Sequence, residues 1–153
     1  MGELDRSEIL LVEDTPSDAE ITLRALRKAL LTDCVHWVRD GAEALDYTFC
    51  AGAYAQRDAR HVPRLILLDL HMPRVGGIEV LRHLKANPRT SAIPVVMMTS
   101  SDDERDIVES YALGVNGYVV KPVESAVFRD TVLGIGLFWM QLNRVPDRDA
   151  GGG

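Results

Sequence analysis

Four short apolar runs, each ending in charged or hydroxyl-bearing residues, restrict this chain more than any other feature. Ile9-Leu10-Leu11-Val12 runs into Glu13-Asp14, and Leu65-Ile66-Leu67-Leu68 runs into Asp69. Ile93-Pro94-Val95-Val96-Met97-Met98 leads to Thr99-Ser100-Ser101, and Gly117-Tyr118-Val119-Val120 leads to Lys121-Pro122. Runs this short and this apolar are the pattern of strands buried on both faces. A weaker fifth run, Cys34-Val35-His36-Trp37-Val38, closes on Asp40-Gly41.

Helical patterns lie between the runs. Thr15-Pro16-Ser17-Asp18 supplies a capping hydroxyl, a proline at the first helical position and an acid two positions later, before Ala19, Leu23, Leu26 and Leu30 recur along one face. Residues 42–51, 77–85 and 103–113 supply further crossovers, the last stopping at Gly114 as a left-handed cap would. Residues 52–62 exceed an ordinary helix-to-strand connection, so they hold an extra turn of helix or form a mobile loop. Strand and helix in alternation predict an α/β fold: a doubly wound, flavodoxin-like sheet of five parallel strands in the order 2-1-3-4-5, with five main helices. In such a sheet the active crevice lies outside the carboxyl ends of the strands, beside the switch point between strands 1 and 3. Glu13, Asp14, Asp69, Thr99 and Lys121 all fall on that edge.

Composition narrows the function. A chain of 153 residues suits one domain, expected over residues 9–142 with tails at 1–8 and 143–153, the last three of them the glycines Gly151, Gly152 and Gly153. A net charge of −6 disfavours a general grip on nucleic acid, so direct DNA binding is not expected. Cys34 and Cys50 lack metal-ligand spacing and read as reduced thiols. The polar start and the lack of a long apolar segment predict a cytoplasmic protein with no membrane association. There is no internal repeat.

Glu13, Asp14 and Asp69 would crowd three carboxylates into one crevice, where a single pair at 4 Å repels by roughly 4 kcal/mol at an effective dielectric near 20. A cation must sit among them. An oxygen-rich site with room for water suits Mg²⁺, or Mn²⁺, and Lys121 adds a point charge. A carboxylate held beside a divalent metal and an ammonium is an acceptor for in-line phosphoryl transfer, with Thr99 offering a hydroxyl to a phosphoryl oxygen. Gly76-Gly77 would allow close backbone approach after the Asp69 loop.

The sequence closely resembles the receiver domains of two-component response regulators. The resemblance rests on Val12-Glu13-Asp14, Leu67-Leu68-Asp69-Leu70-His71-Met72-Pro73 with Gly76-Gly77, Met98-Thr99-Ser100, and Tyr118-Val119-Val120-Lys121-Pro122. It implies that Asp69 is the phosphoacceptor and that Glu13 and Asp14 organise Mg²⁺, with the backbone carbonyl of His71 as a further ligand. Thr99 and Lys121 are then the phosphoryl contacts, and Thr99 and Tyr118 the switch pair that reshapes the face of helix 4, strand 5 and helix 5. His71 and Ser101 occupy positions whose side chains tune the lifetime of the acyl phosphate. The implied donor is a histidine kinase, and catalysis is limited to self-phosphorylation and its reversal by hydrolysis.

The connection before strand 3, Asp106-Ile107 with Ser110-Tyr111, the Gly114-Val115-Asn116-Gly117-Tyr118 run and Phe138-Trp139 before Pro146 resemble single-domain regulators paired with bacterial phytochrome kinases. In the last helix, Phe128, Val132, Ile135, Trp139 and Leu142 form a core-facing stripe, and Leu133, Leu137 and Met140 a second apolar stripe. The second stripe predicts a homodimer through helix 4, strand 5 and helix 5. Two competing readings are weaker. An aspartate-nucleophile hydrolase of the haloacid-dehalogenase type needs a second acid where this chain has His71. A degenerate, purely partner-binding receiver would not retain the full acceptor, metal and lysine set.

Overall fold

The structure, a computed structural model, describes residues 8–30 and 35–145. Cys34 and the expected terminal tails, save for Glu8 and residues 143–145, lie outside the described residues. The strands β1 (Ile9–Val12), β2 (Val35–Val38), β3 (Leu65–Leu68), β4 (Val95–Thr99) and β5 (Gly117–Val120) form one parallel sheet in the order β2-β1-β3-β4-β5. The helices are α1 (Pro16–Leu30), α2 (Gly41–Thr48), α3 (Gly77–Ala86), α4 (Glu104–Ala112) and α5 (Ser125–Leu137). Both the expected order and the flavodoxin-like architecture are observed.

Because side chains alternate along a strand, each apolar run feeds two cores. Leu10, Val12, Ile66, Leu68, Val95 and Met97 face α2 and α3, meeting Ala44, Tyr47, Val80, Leu81 and Leu84. Ile9, Leu11, Leu65, Leu67, Val96 and Met98 face α1 and α5, meeting Ala25, Leu26, Phe128 and Val132. Each large side chain fully buried this way contributes about 1.5–3 kcal/mol. α4 is the exception, since Ser110 is its one buried residue.

The helix ends follow local chemistry. Asp40 caps α2, its Oδ1 accepting the Glu43 amide at 2.8 Å. α2 stops at Thr48, short of the expected Ala51, and Cys50 then adopts the left-handed conformation with φ 55°. The long connection that follows opens with a single 3-10 turn, Gly52–Tyr54, so the expected extra turn is present. α4 ends as predicted at Gly114, φ 97°, with the Val115 amide donating back to the Ser110 carbonyl at 3.1 Å.

The final helix corrects the sequence reading. After Leu137 the chain widens into a π-helical turn, Phe138–Leu142, with the Asn143 amide donating to the Phe138 carbonyl at 2.7 Å. The wider turn rotates the faces out of the 3.6-residue period on which the two stripes were drawn. Met140 is therefore buried in the core at 9% exposure, whereas Leu142, assigned to the core, is 71% exposed. Leu133 is half-buried against the same core, and Leu137 alone of the three proposed interface residues stays open, at 42%.

At the start of α3, a Cβ on Gly77 would lie 2.2 Å from the Asp69 carbonyl oxygen, while one on Gly76 would meet nothing nearer than 3.5 Å. Gly77→Ala should therefore cost about 1–3 kcal/mol by pushing helix and loop apart, with Gly76→Ala nearly neutral. Urea unfolding of the two variants checks this.

Candidate functional site

The register of the sheet builds the site. Val12 pairs with Leu68, so Glu13 and Asp69 leave β1 and β3 side by side, and the Asp69 amide donates to the Val12 carbonyl at 3.0 Å. Thr99 pairs with Val120, and the next residue, Lys121, donates its amide to the Thr99 carbonyl at 2.7 Å. Glu13 is held from two further directions: its amide donates to Val38, and its carbonyl accepts the Trp37 indole N–H at 2.8 Å.

Within this crevice one ammonium meets three carboxylates. Lys121 Nζ lies 2.7 Å from Glu13 Oε1, 3.0 Å from Asp18 Oδ2 and 3.3 Å from Asp69 Oδ2. Glu13 is 2% exposed and Asp69 7%, so these charges interact with little water between them. Burial pushes the Glu13 carboxyl up to about 7, against the hydrogen bond from Lys121 and helped by the neighbouring Asp69 charge. Burial favours the neutral form of Lys121, but the hydrogen bond to Glu13 and the charges of Asp69 and Glu13 outweigh it and raise its pKa.

Glu13, Asp14 and Asp69 each offer a carboxylate oxygen, and these atoms lie within 4.8 Å of one another. With Asp18 added, four acids face a single lysine, which leaves the crevice negative. The donors are hard oxygens from two neighbouring strand ends, a set that fits Mg²⁺ or Mn²⁺.

The remaining predicted residues form a second, linked group. Thr99 is buried at the end of β4, and its Oγ1 accepts the Ser101 amide at 3.3 Å. The Ser101 hydroxyl donates to Asp106 Oδ2 at 2.6 Å, and the Ser101 carbonyl accepts the Tyr118 hydroxyl at 3.0 Å. The exposed His71 ring lies 3.7 Å from the same Asp106 oxygen. Leu133, Leu137 and Met140 lie on α5 and its π-helical extension and take no part in either group. Sequence reasoning did not assign Asp18 or Asp106 to the site. Asp18 looked like a helix-start acid, and Asp106 entered only through the Asp106-Ile107 pair in the resemblance to phytochrome-paired regulators. Their signal is positional: each lies in the first turn of a helix that follows a site-bearing strand end.

Comparison with known proteins identifies the family. Residues 9–133 match the response regulator receiver domain. The chain belongs to that family. Among curated proteins it is 39% identical to the probable methanogenesis regulatory protein FilR2 of Methanothrix harundinacea, over 90% of this chain and 86% of that one. It is 36% identical to the response regulator Rcp1 of Synechocystis, over 90% and 92%, and the Mn²⁺-bound form of Rcp1 superposes with a TM-score of 0.79. The phosphorylated cyanobacterial phytochrome response regulator RcpA gives a TM-score of 0.86 at 38% identity, covering 93% of this chain and 99% of that one. The bacteriophytochrome response regulator AtBRR is 49% identical, with a TM-score of 0.68 and coverage of 89% and 96%. The chain is thus a receiver domain related to phytochrome response regulators.

The raised Glu13 pKa has a consequence for stability. The folded value of about 7 lies above the ordinary 4.5, so the native state holds an extra proton between the two. That stabilisation is complete below about pH 4.5 and is lost as pH rises through 7. In EDTA, the parent protein should lose about 1–3 kcal/mol between pH 5 and pH 8. Glu13→Gln should flatten that slope, as read by urea unfolding at the two pH values.

Proposed function

We propose that this chain is a response regulator that accepts a phosphoryl group on Asp69 from a histidine kinase. The observation that carries the reading is the convergence of Glu13, Asp69 and Lys121 from three strand ends, with Asp14 beside them. In the proposed reaction an Asp69 carboxylate oxygen attacks phosphorus in line. The P–N bond of the donor phosphohistidine breaks as the O–P bond forms, and the electron pair returns to the imidazole, which takes up a proton. Lys121 would pair with the charge on the phosphoryl oxygens, and the Thr99 hydroxyl would donate to one of them. Mg²⁺, held by Glu13, Asp14, Asp69 and the His71 carbonyl, would supply further neutralisation of those oxygens when bound. Hydrolysis of the acyl phosphate resets the protein, with the side chains of His71 and Ser101 tuning its lifetime.

The signal would leave through Thr99. A hydroxyl drawn toward the phosphoryl group gives up its bond from the Ser101 amide, and Ser101 in turn holds both Tyr118 and Asp106 of α4. α4 buries so little that its position costs little to change. The exposed Val108, Tyr111, Val120, Val127 and Leu137 support this same face as the homodimer surface. The likeness to RcpA and AtBRR supports a bacteriophytochrome as the kinase.

Acetyl phosphate with Mg²⁺ should label the parent protein as a hydroxylamine-sensitive acyl phosphate and leave Asp69→Asn unlabelled with its fold intact. Label retained in Asp69→Asn would remove the acceptor assignment. For the dimer, Leu137→Asp should move a sizing-column peak to monomer mass; an unchanged peak would remove that surface.

A further inference from the structure

The Lys121 ammonium donates to Asp18 and Asp69 and lies within ion-pair distance of Glu13, so it meets three carboxylates. Two of the acceptors, Glu13 and Asp69, also belong to the acidic group that faces a cation, whereas Asp18 does not. A cation that engages Glu13 and Asp69 draws on the oxygens that hold the lysine. With only those two partners, Lys121 would either obstruct the cation or lose its place. Asp18 stands outside this competition.

Asp18 is also well fixed. It occupies the first turn of α1, entered through Pro16, and its carbonyl accepts the Thr22 hydroxyl at 2.8 Å. The side chain of Lys121 is only 8% exposed, so an acceptor at 3.0 Å matters more here than on an open surface.

We propose that Asp18 is a positioning residue for Lys121, keeping the ammonium beside Asp69 while Glu13 and Asp69 engage a divalent cation. By giving Lys121 a partner of its own, Asp18 eases cation entry. On the reading of Asp69 as phosphoacceptor, it also keeps the lysine where the incoming phosphoryl oxygens need it.

An acid in the first turn of a helix also favours the helix by its charge alone, and that contribution does not depend on Lys121. The test separates the two. Mg²⁺ alone is titrated into the full chain, following the emission of Trp37, whose indole donates to the Glu13 carbonyl, in a Trp139→Phe background. Asp18→Asn should weaken Mg²⁺ binding about five- to tenfold, and Asp18→Glu should stay within about threefold of the parent. In a Lys121→Met background the effect of Asp18→Asn should shrink below about twofold. Unchanged affinity in Asp18→Asn, or an equal loss with and without Lys121, overturns the proposal. Far-UV circular dichroism confirms that each variant is folded. Failure of Asp69 to form an acyl phosphate would overturn the proposed function while leaving the Mg²⁺ result to stand. A flat Mg²⁺ response with Asp69 still phosphorylated overturns the role of Asp18 alone.

Discussion

Lys121 lies among Glu13, Asp18 and Asp69 at distances of 2.7, 3.0 and 3.3 Å, and much of the molecule depends on that meeting. The three acids come from the end of β1, the first turn of α1 and the end of β3, and the lysine from the end of β5. Carboxylates this close and this buried repel one another by several kcal/mol unless a cation stands between them. The ammonium therefore ties together elements that the hydrophobic cores merely stack. The crevice stays negative even so, because one ammonium meets three carboxylates and Asp14 adds a fourth beside them. A site poised this way favours a hard divalent ion.

The second group of residues, Thr99, Ser101, Tyr118 and Asp106, connects the end of β4 to α4 and β5 by hydrogen bonds. These links run between a tightly packed element and a thinly packed one, since β4 is buried throughout and α4 buries Ser110 alone. An element that buries so little is cheaper to displace than the strand it is tied to.

The connection between α2 and β3 shows how polar side chains stabilise a segment that lacks a core of its own. The Arg57 guanidinium lies 3.8 Å from the centre of the Tyr47 ring and donates to the His61 carbonyl at 3.0 Å. The Tyr54 hydroxyl donates to Glu43 at 2.7 Å and lies 3.0 Å from His36 Nε2, while the His36 ring stacks on Tyr47 at 4.5 Å. Arg57 and His61 stand four apart but outside any helix, and the other pairs follow no period in the sequence. The choice between an extra turn and a mobile loop therefore stayed open until the partners were placed.

What the sequence determined by itself was whatever depends on local pattern: five apolar runs of strand length, the helix starts at Pro16 and Gly77, the stop at Gly114, and the polar strand ends that converge once the sheet is parallel. Because side-chain spacing and turn chemistry are local, Glu13, Asp14, Asp69, Thr99 and Lys121 could be assigned to one edge from the sequence alone. Tertiary structure decided what depends on distance across the fold. Asp18 joined the site because the long Lys121 side chain reaches α1, a contact between residues 103 positions apart. Asp106 joined because Ser101 turns its hydroxyl toward α4. Met140 and Leu142 exchanged their expected places because one π-helical turn broke the 3.6-residue period. Periodicity assigns a face only while the helix keeps its pitch, and a lysine's partner is settled only when the strands around it are set.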